Sequence, residues 1–334
     1  AIDPKKVPIV LGEETPLYND LGVHVTSFGE RGFEFYGTDL HCAAFETILE
    51  DLHAIVDILA QYGGGSDGKV REKSYTLYEG FAELCARESP MCPSVLPEAR
   101  SIGGLLGFTG AYAHGHRQKK PPHLMTKKTS PKMMNRPRPY AVMSAHGHVD
   151  KINELLSMPT YQSLMGSMQT LVTNAYPGLV RFLHRVIPKE RRLWPDQIWT
   201  QVAMTGGTFQ GYCRKHVDGG NLLNGLFYVS GGTEVCGGHT VVFEKENDSK
   251  QAFALKFKNG RCVLGPFRYI CHAATAYTGG RCILGAYVDK RIVDFCLSHT
   301  FVAEDQPWKV RPVEECESLT AEFDALCEEY NLVK

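Results

Sequence analysis

Hydrophobic residues recur at helical spacing in four stretches of the chain. These stretches are residues 40–62, 150–158, 161–186 and 313–332. The first ends at Gly63, where three successive glycines can terminate a helix, and the third is interrupted near Pro177, because proline cannot continue a helix. The last stretch carries many acidic residues between its apolar ones. The pattern therefore predicts helices in all four places.

After Trp194 the pattern changes to short runs rich in Val, Ile, Tyr, Phe and Leu, separated by Gly or Asn. The runs are IWTQVAMT, GLFYVS, HTVVFE, FALKFK, CVLGPF and RCILGAYV. Such runs at regular intervals are typical of an all-β sandwich or barrel. We therefore predict an α+β protein, with helices first, a β-core next and a closing helix.

The composition is that of an ordinary globular protein. Of the 334 residues, 43% are hydrophobic and 22% are charged, which excludes disordered, collagen-like and coiled-coil classes. There is no apolar stretch long enough for a transmembrane helix, and the first residues lack the apolar segment of a secretory signal. The 11 cysteines are scattered and form no Cys-x-x-Cys pair. We expect reduced thiols in an intracellular protein that is a monomer and does not contact membranes.

The net charge of −1 hides a strongly basic middle of the chain. Residues 1–110 hold 8 Lys/Arg against 17 Asp/Glu, and residues 301–334 hold 3 against 9, so residues 111–300 carry +14. The densest part, residues 114–139, contains eight Lys/Arg, no acid and several prolines, which predicts a loop. A basic loop can simply be solvated, or it can contact a polyanion such as nucleic acid.

Two histidine clusters are possible metal sites with weak support. His114-Gly115-His116 lies in the basic loop with no carboxylate beside it, so a structural or nucleic-acid-facing role fits better. The second is His146-Gly147-His148-Val149-Asp150, which is similar to the zinc motif of metallo-β-lactamase-fold hydrolases. Its next residue is Lys151, whose ammonium group would lie among the cations, so zinc hydrolysis remains a minor alternative.

A third pattern combines His216, Asp218, His272 and Arg281. Two residues apart on an extended segment, His216 and Asp218 can reach one metal, and His272 from a distant strand would complete a two-histidine, one-carboxylate set. Such a set leaves open positions on Fe(II) for a bidentate co-substrate and dioxygen. A guanidinium such as that of Arg281 can hold a second carboxylate bidentately. The alternative is that His216 is a surface residue and His272 a core histidine.

The segments that carry this pattern resemble a known family. They are KHVDGGNLLNGLFYVSGG, CGGHTVVFE and YICHAATAYTGGRCILGAYV, preceded by the helical run LMGSMQTLVTNAYPGLVRFLHRVI. Residues 105–295 resemble the Fe(II)/2-oxoglutarate dioxygenases of the TET/JBP group, especially the compact fungal and microbial members. The resemblance implies a double-stranded β-helix (jelly-roll) core with Fe(II), 2-oxoglutarate and O2 as its cofactors and co-substrates. It also implies three regions: an N-terminal helical, acidic extension (1–105), the dioxygenase domain (106–300) and an acidic C-terminal helix (301–334).

The resemblance also implies a reaction and roles for individual residues. His216, Asp218 and His272 would be the iron ligands, and Arg281 would bind the distal carboxylate of 2-oxoglutarate. A ferryl oxygen would take hydrogen from the methyl group of a flipped DNA base, giving 5-hydroxymethylcytosine and further products from 5-methylcytosine; thymine and N6-methyladenine are other possible substrates. A nuclear location follows from that substrate class.

Contacts with the DNA substrate follow from the same resemblance. Asn221 stands where some microbial relatives have an aspartate near the base, which leaves cytosine specificity open because an amide both donates and accepts hydrogen bonds. The expected contacts to DNA are Asn221, Arg214, Arg117, Lys119, Lys120, Lys127 and Lys128.

Two further alternatives remain open from the sequence. One is an oxygenase of the same fold that acts on a protein side chain or a small molecule. The other is a nucleic-acid-binding module without catalysis.

Overall fold

The computed structural model describes most of the second half of the chain and parts of the first half. The described residues are 11, 17–18, 24–28, 33–39, 107–113, 123–124, 157, 159–189, 192–207, 211–230, 235–243, 252–278, 281–302 and 308–332. The predicted helix at residues 40–62 lies outside them, as do residues 150–156 of the next predicted helix.

The described residues form sixteen strands and four helices. The strands are β1 (Leu17–Tyr18), β2 (His24–Phe28), β3 (Phe33–Asp39), β4 (Gly107–Ala113), β5 (His123–Leu124), β6 (Gln201–Gly207), β7 (Gly211–His216), β8 (Asn221–Ser230), β9 (Cys236–Gly237), β10 (Thr240–Phe243), β11 (Ala252–Leu255), β12 (Arg261–Gly265), β13 (Cys271–Thr278), β14 (Arg281–Asp289), β15 (His299–Phe301) and β16 (Trp308–Val310). The helices are α1 (Pro159–Ala175), α2 (Pro177–Val186), α3 (Lys290–Ser298) and α4 (Val313–Glu329).

Two sheets dominate the fold. The larger has the strand order β2-β3-β12-β8-β14-β6-β4-β5, and the smaller has the order β1-β11-β10-β13-β7, with β9 also paired to β13. All pairs are antiparallel except β1 with β11. From β6 to β14 the chain passes repeatedly between the two sheets: β7, β10, β11 and β13 belong to the smaller one, and β6, β8, β12 and β14 to the larger.

A hydrophobic layer fills the space between the two sheets. It includes Tyr228 and Ile283 from the larger sheet and Val242 and Phe253 from the smaller one. Alternation along β10 accounts for this arrangement, because Val242 joins this layer while Val241 and Phe243 belong to a separate cluster. The two sheets therefore share a core, with a further apolar cluster on the smaller sheet.

The helices pack in a second core with residues of β8, β12 and β14. At Gly225 a Cβ atom would lie 2.9 Å from the Met168 sulfur of α1, so glycine allows this close approach. The helical conformation is interrupted at Tyr176, between α1 and α2. Pro177 occupies the first turn of α2, where its missing N–H removes no hydrogen bond of the helix. Phe323 of α4 stacks on Phe182 of α2, with ring centroids 5.7 Å apart.

Several sequence predictions agree with this structure. The predicted helix at 161–186 is confirmed as α1 and α2 with the break at the expected place, and the acidic C-terminal helix is confirmed as α4. Each of the six predicted apolar runs overlaps a strand. The broader prediction of a mixed helix and antiparallel-sheet protein is thus confirmed.

Other features differ from the predictions or were not predicted. Strands β2, β3 and β4 come from the first 113 residues and extend the larger sheet, so strands also precede the described helices. The basic segment 114–139, expected to be a loop, includes the short strand β5, which pairs with the end of β4. Helix α3 follows β14 directly and was not predicted. The division into three regions stays a prediction.

Six cysteines whose side chains the structure describes are free thiols. They are Cys236, Cys262, Cys271, Cys296, Cys316 and Cys327. Burial raises the pKa of Cys262 and of Cys327 to about 12, so both stay protonated at neutral pH and are poor metal ligands. None of the helices that the structure describes is long and apolar enough to span a bilayer.

Candidate metal centre

Strands β7 and β13 of the smaller sheet bring two histidines side by side. His216 is the last residue of β7, and His272 is the second residue of β13. The two strands are antiparallel and these residues lie directly opposite each other in the register. Directly opposite side chains lie on the same face of a sheet. The imidazole centroids are accordingly only 4.1 Å apart.

Asp218 approaches the same point from the turn between β7 and β8. Its Oδ1 lies 3.7 Å from His216 Nε2, and its Oδ2 lies 3.8 Å from His272 Nε2. The side chains of His216 and Asp218 are each 14% exposed and that of His272 is 8% exposed. The cluster is therefore shielded from bulk water while the turn that carries Asp218 remains at the surface.

Hydrogen bonding sets the tautomer of His272. Its Nδ1 lies 3.1 Å from the backbone oxygen of Ile270, which can only accept a hydrogen bond. Neutral His272 therefore carries its proton on Nδ1, and Nε2 presents a lone pair towards Asp218 and His216. Phe267 packs edge-on against the ring with centroids 4.7 Å apart, which restricts its rotation.

Backbone hydrogen bonds hold the turn that carries Asp218. The Asp218 N–H donates to the Phe267 oxygen (3.0 Å), and the Asp218 oxygen accepts from the Asn221 N–H (2.8 Å). The next residues are tied to other elements: the Gly220 oxygen accepts from the N–H of Lys290, the first residue of α3, and the Gly219 oxygen accepts from Arg268 Nη1. The carboxylate is thus mounted on a turn anchored to β8, α3 and the β12–β13 connection.

A buried amide contacts the carboxylate itself. Asn224, on β8, is fully buried, and its Nδ2 donates to Asp218 Oδ2 at 2.5 Å. The sequence does not indicate this residue, because an asparagine within an apolar strand has no spacing that ties it to a metal motif. The Phe267 ring and the Ile270 oxygen were missed for the same reason.

The three side chains have the chemistry of a metal site. Each offers one ligand atom, and these atoms lie within 4.8 Å of one another. Separations of 3.7 and 3.8 Å between the imidazole nitrogens and the carboxylate oxygens are too long for direct hydrogen bonds, so a cation can fit between them. Two imidazoles and one carboxylate are the donor set of the facial triad of non-haem Fe(II) oxygenases.

The other predicted site residues fall into two groups. Asn221 begins β8 and is half-buried. Arg281 begins β14 opposite Gly207 and Ser230, and Arg214 lies on β7. The remaining predicted contacts and the alternative histidine clusters lie outside the described residues: Arg117, Lys119, Lys120, Lys127, Lys128, His114, His116, His146 and His148.

Comparison with known proteins gives no sequence relative. No protein-family model matches the chain, and no curated protein matches it either. Solved structures similar to it include an oxidoreductase of the 2OG-Fe(II) oxygenase family from Burkholderia pseudomallei, NgTET1 in complex with 5mC DNA, and a prolyl-4-hydroxylase from Pseudomonas putida.

All three similarities are low. The first has 11% identity and a TM-score of 0.28, and covers 54% of this chain and 65% of the other. NgTET1 has 9% identity and a TM-score of 0.42, with 78% and 74% covered. The prolyl-4-hydroxylase has 14% identity and a TM-score of 0.23, with 27% and 48% covered. The role of the cluster is therefore inferred from its own geometry.

Proposed function

We propose that this protein is an Fe(II)- and 2-oxoglutarate-dependent dioxygenase that oxidises a methylated base in DNA. The observation that carries the proposal is the convergence of His216, Asp218 and His272 on one point. When bound there, Fe(II) with 2-oxoglutarate and O2 supplies an oxidant strong enough to hydroxylate a methyl group. This donor set leaves open positions for both co-substrates.

The strand order supports a double-stranded β-helix as the scaffold of this site. Successive strands from β6 to β14 are divided between two facing sheets that share a core. A jelly roll is built from two such antiparallel sheets. His216 and His272 come from the smaller sheet, while Asp218 leads into β8 of the larger one. The proposed metal therefore sits where the chain crosses from one sheet to the other.

Each residue of the centre has a defined task in the proposed reaction. His216 and His272 donate imidazole nitrogens, and the bond between His272 Nδ1 and Ile270 keeps Nε2 available as a ligand. Asp218 donates a carboxylate oxygen and offsets part of the cation's charge. Phe267, packed on His272, limits the access of water to one side of the centre. These groups orient the co-substrates without moving far, because the supporting turn is anchored.

We assign the distal carboxylate of 2-oxoglutarate to Arg281. The residue begins β14, two positions before Ile283, which is buried in the core between the sheets. A guanidinium can bind a carboxylate through two parallel hydrogen bonds, and it stays charged at any physiological pH. The resemblance to the TET/JBP group, in which an arginine follows the second iron-binding histidine, implies the same role for Arg281.

DNA is the proposed substrate because of the charge distribution. Residues 111–300 carry +14 although the whole chain carries −1, and residues 114–139 have eight basic residues and no acidic one. Neutralising phosphates with Lys and Arg supplies most sequence-independent affinity for nucleic acid. A base inside a duplex must be flipped out before it can reach a recessed centre, and Asn221 at the start of β8 is our candidate for contacting it. A nuclear location is part of this proposal.

The test is a direct search for the product. The protein is incubated with Fe(II), 2-oxoglutarate and ascorbate on duplexes that carry 5-methylcytosine, thymine or N6-methyladenine, with Asp218→Ala as control. Mass spectrometry of the nucleosides should reveal, for the wild type only, a gain of one oxygen on one base or loss of the N6-methyl group. Succinate without a changed nucleoside would move the substrate to a protein side chain or small molecule. Absence of both products would contradict the whole proposal.

A further inference from the structure

Asn224 is a polar residue in an apolar environment. It lies on β8, where neighbours on the strand such as Leu222, Leu223 and Phe227 are fully buried hydrophobic residues. Asn224 is itself 0% exposed. A leucine has the same branching and number of side-chain heavy atoms as asparagine and would avoid the cost of burying an amide. Packing alone therefore does not explain an asparagine at this position.

The polar partner of Asn224 is one of the proposed metal ligands. Its Nδ2 donates to Oδ2 of Asp218, while its Oδ1 is buried and accepts no hydrogen bond from any described residue. The bond to Asp218 is therefore the interaction that the amide makes within the described structure. It restrains rotation of the carboxylate, because Oδ2 must remain near Nδ2 to keep the bond.

The restraint complements those on the rest of the centre. His272 is held through its Nδ1 by the Ile270 oxygen, and the backbone of Asp218 is held by Phe267 and Asn221. None of these bonds fixes the side-chain torsion of the carboxylate, whereas the bond from Asn224 does. Both carboxylate oxygens lie close to a histidine, Oδ1 3.7 Å from His216 Nε2 and Oδ2 3.8 Å from His272 Nε2. Because Oδ2 also accepts from Asn224, Oδ1 is the oxygen better placed to bind a cation.

We propose that Asn224 is a positioning residue that orients Asp218 for monodentate metal binding and thereby sets the metal affinity of the centre. The inference rests on the proposed function, since it requires that the cluster bind a divalent metal. Residues that hydrogen-bond to metal ligands typically contribute 10- to 100-fold in affinity. Asn224 acts through Asp218 and need not touch the metal or the substrate.

The experiment measures metal binding alone, without 2-oxoglutarate, DNA or turnover. Metal-free protein is titrated with Co(II), and binding is followed by calorimetry and by the visible absorption of the bound ion. Asn224→Leu removes the donor while keeping the branching and the number of side-chain heavy atoms. Tyr228→Phe is the matched control: it removes the hydroxyl that hydrogen-bonds to Thr240 at 2.6 Å, another buried polar contact on the same strand.

We expect Asn224→Leu to weaken Co(II) binding by about 10- to 100-fold and to shift the absorption bands at saturation, with Tyr228→Phe within about two-fold of the wild type. Circular dichroism checks that each variant is folded. If the Leu variant is not, Asn224→Thr, whose shorter hydroxyl cannot replace the amide, should show the same loss of affinity.

Three results are distinguishable from this expectation. Wild-type affinity in the folded Asn224 variant would overturn the positioning role and leave the metal centre intact. An equal loss of Co(II) affinity in Asn224→Leu and Tyr228→Phe would also overturn it. Removing any buried polar group from β8 would then weaken metal binding, without a specific role for Asn224. Failure of the wild type to bind Co(II) would instead contradict the proposed function itself.

Discussion

Asp218 is the residue on which the proposed chemistry depends most directly. It supplies the carboxylate between two imidazoles, and its backbone and side chain are both held by hydrogen bonds. Removing the carboxylate leaves two neutral ligands and no negative charge to offset a divalent cation. Loss of a direct ligand should cost more than loss of a supporting hydrogen bond, which is already worth 10- to 100-fold.

We therefore predict that Asp218→Ala lowers Fe(II)-dependent conversion of 2-oxoglutarate to succinate by at least about 100-fold. Asp324→Ala, an exposed aspartate on α4, is the matched control and should retain wild-type turnover. Succinate is quantified with saturating Fe(II), 2-oxoglutarate and DNA substrate. Undiminished turnover by the Asp218 variant would rule out this carboxylate as an essential ligand.

The sequence indicates the proposed metal ligands better than it indicates the residues that hold those ligands in place. The spacing alone was enough to pair His216 with Asp218. Period-two alternation predicted that both lie on one extended strand, but β7 ends at His216 and Asp218 lies in the turn that follows. The sequence could propose His272 only as a ligand from a distant strand. Its position directly opposite His216 depends on the pairing of β7 with β13, which only the structure supplies. Asn224, Phe267 and the Ile270 oxygen contact the ligands through tertiary structure, so no local pattern could identify them.

At the element scale, the close packing of helix α1 on strand β8 is testable at Gly225. A Cβ atom there would lie 2.9 Å from the Met168 sulfur and 3.5 Å from the Trp199 ring. Met168 and Trp199 are almost fully buried, so they have little room to move. Overpacking a well-packed core typically costs 1–3 kcal/mol.

We predict that Gly225→Ala lowers the free energy of unfolding by about 1–3 kcal/mol. Gly219→Ala is the control, since a Cβ atom at Gly219 would meet nothing within 4 Å, and its effect should stay within about 0.5 kcal/mol. Both are measured by chemical denaturation. Equal stability of the two variants would mean that α1 does not approach β8 as closely as described.

Element types were predictable wherever local patterning and burial agree. In helix α4, acidic residues lie between apolar residues at helical spacing. The strands after Trp194 are short apolar runs separated by Gly or Asn. Helix α3 was missed because it follows β14 without a break, and its start is marked only by Asp289, whose carboxylate accepts from the Arg291 N–H. Strands β2 and β3 were missed; they pair with each other, and β3 joins the larger sheet by pairing with β12, more than 200 residues later, which no local pattern indicates.

For the whole molecule, the uneven distribution of charge along the chain is the observation that favours DNA as the substrate. The acidic ends and the basic middle nearly cancel, so the net charge alone gives no indication of nucleic-acid binding. If residues 114–139 contact phosphates, binding should weaken steeply with salt, by a slope of about 0.9 per phosphate contact. The strand order could not be predicted from charge or composition, because it is set by long-range pairing.

We predict that replacing four lysines of this block by glutamine weakens duplex DNA binding and lowers the salt slope by roughly 3–4, while metal binding is unchanged. The lysines are Lys119, Lys120, Lys127 and Lys128. A charge-matched control replaces four others, namely Lys5, Lys6, Lys256 and Lys309. Binding is measured by fluorescence anisotropy at several salt concentrations. The same loss in both variants would assign the effect to overall charge rather than to the block.

His216, Asp218 and His272 are proposed to form an Fe(II) centre that takes 2-oxoglutarate. The most direct measurement is an anaerobic titration of the Fe(II)-loaded protein with 2-oxoglutarate, followed by the visible charge-transfer absorption that arises when a 2-keto acid chelates iron(II). It requires no knowledge of the final substrate. His272→Ala removes a proposed ligand, and His299→Ala removes a histidine that instead stacks on Phe295 of α3.

We predict a saturable absorption band with one equivalent of iron in the wild type and in His299→Ala, and its loss in His272→Ala. A band of equal intensity and affinity in all three proteins would place the iron elsewhere, and no band in the wild type at saturating 2-oxoglutarate would contradict the claim.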